Sequence, residues 1–269
     1  MPMLGAARLR ARDIVAAGSL EWSFYWHRRR LRGASVLGAL PVLLALLVAL
    51  LKVADFAWLA PVQARGADIV PWFFVFCYLR ALLVVLPLLL GTSLISRELE
   101  ARTLPYLLVR PLSRASLLLG KFLGSVLVAS ALLCGSFVLV TFILLGADAF
   151  ADAAGPLRGL PAYLLTLCAG AVAYGALFTL VGLVSPRPAL LGLFLAFGWE
   201  TAIPYLPGLI RKLTVRYHLV ALMPDTGLPQ PMLGTLTVPG VGESLLWLGW
   251  GSLLALAVSI AVFTRRDFA

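Results

Sequence analysis

Side chains that could do chemistry are concentrated in one polar stretch between two long apolar runs. From Ser96 to Lys121 the chain reads S-R-E-L-E-A-R-T-L-P-Y-L-L-V-R-P-L-S-R-A-S-L-L-L-G-K. Two of the 12 acids, Glu98 and Glu100, lie there with five bases, Arg97, Arg102, Arg110, Arg114 and Lys121. The segment is a polar interruption between two long apolar runs, and it carries its own helix signals. Thr103 can cap a helix start, and Pro105 fits a first turn, where no amide partner is needed. Leu104, Leu107 and Leu108 give that short helix one apolar side. Arg110 precedes Pro111, a step that disfavours further helix, and Ser113 can cap the next one. Two readings fit: a solvated loop with basic anchors, or a rigid amphipathic knob on which a partner protein docks.

The other ionisable residues with a chemical claim are Arg80 and Glu200, which stand inside apolar runs. A bare charge near the bilayer centre costs about 2.5–3.5 kcal/mol on insertion scales, so each needs a partner or a wet cavity. Counted along their helices, Arg80 lies roughly 13 Å below one face and Glu200 roughly 16 Å above the other, in a core about 30 Å thick. They are therefore expected to pair, within one subunit or across a dimer. The alternatives are an Arg80 that snorkels outward and a Glu200 bonded to Thr201 or Tyr205.

Catalytic and cofactor signatures are missing. Gly120-Lys121 is followed by Phe122 and lacks an upstream glycine, so it is no phosphate loop, and any ATPase must be a separate polypeptide. There is no H-E-x-x-H and no G-x-S-x-G. His27 and His218 fall on segments assigned to opposite sides. Cys77, Cys134 and Cys168 read as small buried hydrophobes, an odd set without close spacing. His218 with Met223 and Met232 reads as scattered loop residues. No metal, no cofactor and no enzymatic activity is expected.

The elements that must position these residues are membrane helices. Of 269 residues 61% are hydrophobic, and mean hydropathy is +0.99. A soluble domain carries about 45–50% apolar residues. Several apolar runs reach the roughly 20 residues that cross a bilayer. The fold class is all-α: a polytopic membrane protein with six transmembrane helices, over about 34–53, 69–95, 117–145, 160–184, 189–206 and 244–263. Residues 1–33 form a basic, aromatic leader expected to lie as a helix in the membrane surface, and 34–269 form the transmembrane domain. The segment 207–243 is too long and too apolar for a plain loop, so part of it is expected to dip back towards the membrane. Small residues at Gly120-x3-Gly124 and Gly251-x3-Ala255-x3-Ser259 mark packing seams.

Net charge is +10. Its distribution argues for lipid and against nucleic acid, because the bases flank the spans. With both termini inside, fifteen bases fall on inner segments and six on outer ones, Lys52, Arg65, Arg158, Arg211, Lys212 and Arg216. That asymmetry predicts cytoplasmic termini and a cytoplasmic 96–121 segment in a bacterial-type inner membrane.

The stretch from Glu98 to Lys121 resembles the signature between the second and third spans of type-2 ABC exporter permeases. It is most similar to the branch known as multi-copper-enzyme-maturation permeases. Glu98, Glu100, Arg102, Thr103, Leu104, Leu107, Leu108, Pro111, Ser113, Arg114, Gly120 and Lys121 carry the likeness. The resemblance implies that Glu98, Glu100, Arg102, Thr103, Leu104, Leu107, Leu108, Arg110 and Arg114 belong to a coupling helix and its flanks that meet an ABC ATPase subunit. It implies a second permease copy, identical or related, and a role in export. The alternative function is a non-transporting membrane scaffold in an assembly or maturation complex.

Overall fold

The computed structural model describes residues 29–53, 66–92, 114–146, 156–203, 209–225, 228 and 238–265. Every regular element among them is helical. Helix α1 spans Arg29–Val53. Helices α2 (Gly66–Phe73) and α3 (Leu83–Gly91) are joined without a break by a π-helical stretch, Phe74–Leu82. Helix α4 is Arg114–Leu145, and α5 is Leu160–Val184, entered through a single 3₁₀ turn, Pro156–Gly159. After a tight turn come α6 (Pro188–Leu193), a second π-helical stretch (Phe194–Trp199) and the single turn α7 (Glu200–Ala202). A 3₁₀ turn, Leu209–Leu213, leads into α8 (Val215–Val220), and α9 runs over Val241–Arg265.

Five of these helices are long and apolar enough to cross a membrane: Gly33–Lys52, Asp68–Gly91, Ala115–Leu145, Leu157–Val184 and Val241–Arg265. The run expected as a span over 189–206 forms a shorter apolar helix, Pro188–Ala202. At about 1.5 Å per residue it reaches roughly 22 Å, short of a hydrocarbon core of about 30 Å. Pro188 sets its start, since a first-turn proline gives up no helical hydrogen bond.

Helix α5 is the hub. It packs against α3, α4, α6, α8 and α9, while α1 leans on α4. Most of its span is buried, whereas α1 and α9 bury only a minority of theirs. In water, exposed leucines and tryptophans such as Leu43, Leu246, Trp250 and Leu254 would be a liability. On a membrane helix they are the lipid face.

Close approach to α5 uses small residues. A Cβ on Gly182 would lie 3.0 Å from the Thr92 carbonyl oxygen, so here the α3 end and the α5 end touch through backbone. In α9, Ser252, Ser259 and Phe263 are buried and Ala255 packs beside Phe122, Val126 and Ala176. Gly251 meets open space, so the buried face of α9 runs through Ser244, Leu248, Ser252 and Ser259 rather than through Gly251. Helix α4 ends at Gly146, whose φ of 55° is left-handed backbone that glycine adopts without strain.

Several hydroxyls in the bundle are satisfied locally. The hydroxyls of Thr141, Thr166, Thr179, Ser252 and Ser259 donate to the carbonyl four residues back. Ser136 is used differently. It donates to the Gly38 carbonyl at 2.6 Å and meets the Tyr78 hydroxyl at 2.7 Å, tying α4 to α1 and to the first π-helical stretch. Tyr78 stands in an aromatic cluster with Phe74, Phe137 and Tyr163, ring centroids 4.5–6.3 Å apart. Such pairs add about 0.5–1.5 kcal/mol each beyond simple burial.

Candidate functional site

Among the described residues, the one carboxylate buried inside the bundle is placed by a π-helical stretch. A π turn widens the i→i−4 ladder and is most often found at functional positions. Phe194–Trp199 ends directly at Glu200, which is only 3% exposed. The other π-helical stretch carries Arg80.

The Glu200 carboxylate reaches the first amides of α8. The Val215 N–H donates to Oε1 at 2.9 Å and the Arg216 N–H to Oε2 at 3.0 Å. The ordinary cap is not in use there. Thr214 sits at the N-cap position with extended backbone, but its hydroxyl donates to the Arg211 carbonyl instead. Glu200 therefore caps α8 from outside the helix, satisfying two orphan donors and placing negative charge at the positive helix end. Arg216, also buried, returns the contact through Nη1 to the Glu200 carbonyl oxygen at 3.4 Å.

A second ring of contacts holds α8 to α9. The His218 Nε2 is 2.9 Å from the Lys212 carbonyl oxygen, and its ring stacks on Trp247 with centroids 5.8 Å apart. The Lys212 ammonium donates to Glu243 Oε1 at 3.2 Å. That pair is half exposed and contributes little by itself. Burial lowers the His218 pKa from its ordinary value, opposed by the Lys212 carbonyl and by Glu243. Helix α8 is thus a folded cap: Tyr217, Leu219, Val220, Ala221 and Leu222 are buried against the bundle, and Pro224 abuts Gly159 where α5 begins. Of the segment 207–243, expected to dip back towards the membrane, the described residues include this cap.

The residues singled out in sequence divide as follows. No hydrogen bond or ion pair joins Arg80 to Glu200 among the described residues. Glu200 faces α8, and the Arg80 guanidinium lies over the Phe76 ring, 4.9 Å from its centroid. Arg114 opens α4. Glu98, Glu100, Arg102, Thr103, Leu104, Leu107, Leu108 and Arg110, like the 1–28 part of the leader, lie outside the described residues. The described chain stops at Thr92, beside Gly182, and resumes at Arg114. Lys121, about two helical turns further on, is buried at 5% exposure. Sequence reasoning missed Arg216 and the α8 amides as partners of Glu200. The available signal was Thr214 ahead of V-R-Y-H-L-V, a short helix whose first amides need an acceptor.

Several long apolar helices around a central one, with ionisable residues confined to the interior and the ends, define a multi-pass membrane protein. The chain belongs to the ABC-2 family of transporter proteins, whose family model matches residues 23–268. Permeases of this family generally work with an ATPase subunit. No curated relative matches the chain.

Proposed function

We propose that this chain is the permease subunit of an ABC exporter. It forms the translocation path with a second permease copy, identical or related, and takes its energy from a separate ATPase. The match to the ABC-2 family over residues 23–268 carries this reading. The absence of any phosphate loop in the sequence fits it. In this reading Pro188–Ala202 with the residues that follow is the fifth of six spans in chain order, both termini are cytoplasmic, and the 96–121 segment carries the coupling helix. Motion of the ATPase enters there, between α3 and α4, and reaches α5 through the backbone contact of Gly182 with Thr92. At the opposite end Glu200 holds the α8 cap, so a shift of α6 and α7 relative to α5 moves that cap.

The test is co-purification with an ABC ATPase encoded beside the gene. Leu107→Asp with Leu108→Asp removes apolar contact area, and Glu98→Lys with Glu100→Lys reverses the sign facing the partner. Each pair is expected to lose most of the bound ATPase while membrane insertion is unchanged. Normal recovery of ATPase with both variants contradicts the docking role.

A further inference from the structure

Two thiols that stand 34 residues apart in sequence meet between α4 and α5: Cys134 Sγ and Cys168 Sγ are 3.7 Å apart. Both are free and half-buried, so a lipid-soluble molecule can reach them. Cys77, on the π-helical stretch, has no sulfur partner among the described residues. The pair sits at hydrocarbon depth, roughly 16 Å before the α4 end at Leu145 and roughly 12 Å after the α5 start at Leu160.

The spacing suits one shared atom. Two bonds of about 2.3 Å to a soft centre at a near-tetrahedral angle hold their sulfurs about 3.7 Å apart. A tetrahedral cation is not completed, since no third His, Cys, Asp or Glu joins the pair among the described residues. Depth in the bilayer also selects against any complex that keeps a net charge. The fitting ligand is uncharged, needs two sulfurs only, and brings its remaining substituent with it.

We propose that Cys134 and Cys168 form a dithiol clamp for a membrane-soluble trivalent organoarsenical. With phenylarsine oxide the two S–H bonds and the arsenic–oxygen bond break, and two As–S bonds form. Both thiol protons leave on the oxygen as one water. Arsenic stays trivalent, nothing is oxidised, and the product is neutral. The bridge joins α4 to α5 at mid-membrane, where the hub helix meets its longest neighbour.

The experiment uses the full chain in phosphatidylcholine nanodiscs, treated with phenylarsine oxide and washed with excess 2-mercaptoethanol. The wash strips arsenic held by one sulfur and leaves the chelate, which dimercaptopropanol then removes. Wild type and Cys77→Ser are expected to retain one phenylarsenic per chain by intact mass, with a raised Tm. Cys134→Ser and Cys168→Ser are expected to lose the retained label and the Tm shift, while their unlabelled Tm and elution volume report an intact fold. Digestion of labelled wild type, which involves no variant, is expected to yield one arsenic-bridged species containing both Cys134 and Cys168. Absence of retained label on wild type, equal retention by either single variant, or a bridge that includes Cys77 overturns the proposal.

Discussion

Glu200 is the residue on which the cap end of the bundle depends. Replacing it by Ala removes the acceptor for the buried Arg216 amide and the part-buried Val215 amide, and a buried donor left unpaired costs about 1–3 kcal/mol. Glu200→Ala is therefore expected to lower Tm in detergent by several degrees and to open the Lys212–Trp247 region to proteolysis. Glu200→Gln keeps a carbonyl acceptor and should lose less. Equal Tm for wild type and Ala contradicts the capping role. His218 gives the same cap a pH dependence. Its folded pKa is lowered, so as pH falls the unfolded chain takes up the proton first. Its contribution is complete above the unfolded value of about 6.5 and is lost progressively as pH drops below it. Lys212 and Glu243 are the charged groups that act on the ring. Melting curves between pH 8 and pH 5 should show this loss in wild type and a flatter profile in His218→Gln. At this scale the sequence was readable in part. That a buried Glu200 needs partners follows from the cost of an unpaired charge. Which partners it takes does not follow, because matching depths along two helices says nothing about the face each side chain leaves from. The same blindness hid Cys134 and Cys168, whose meeting depends on the rotation of two helices and not on their spacing.

At the scale of elements, the long helices were legible because length and apolar content are local properties. The run over 160–184 is helix α5, and the apolar runs before and after it are helices as well. The contact between Glu200 and the first turn of α8 was less legible, since it depends on how two segments 15 residues apart fold together. The π-helical stretches carry no sequence mark at all. Their neighbourhood with Arg80 and Glu200 emerges only from the folded backbone. The contact between the α3 and α5 ends yields a direct prediction. A side chain on Gly182 meets Thr92 backbone, which cannot swing aside as a side-chain tip can. Gly182→Val should destabilise by about 1–3 kcal/mol, the usual cost of overpacking, and should uncouple ATP hydrolysis from any transport more than it reduces ATPase binding. Gly251→Val, which faces open space, is the matched control and should leave Tm unchanged.

For the whole molecule, charge is segregated to the ends of an apolar bundle. Bases gather in the segments that charge counting assigns to the inner face, where anionic lipid attracts them. Membership of the ABC-2 family fits that asymmetry, and in the proposed function the mechanical route runs from the 96–121 segment through the α3–α5 contact to the Glu200-held cap. The most direct measurement is photo-crosslinking in intact cells, with a benzophenone amino acid placed at one position at a time. From Leu107 and from Leu108 the account predicts a crosslink to an ABC ATPase, strengthened or weakened by trapping that ATPase with ATP, and none from Leu246 on the lipid face of α9. A crosslink from Leu246 but not from either coupling leucine, or no ATPase product from any position of the 103–110 segment, contradicts it.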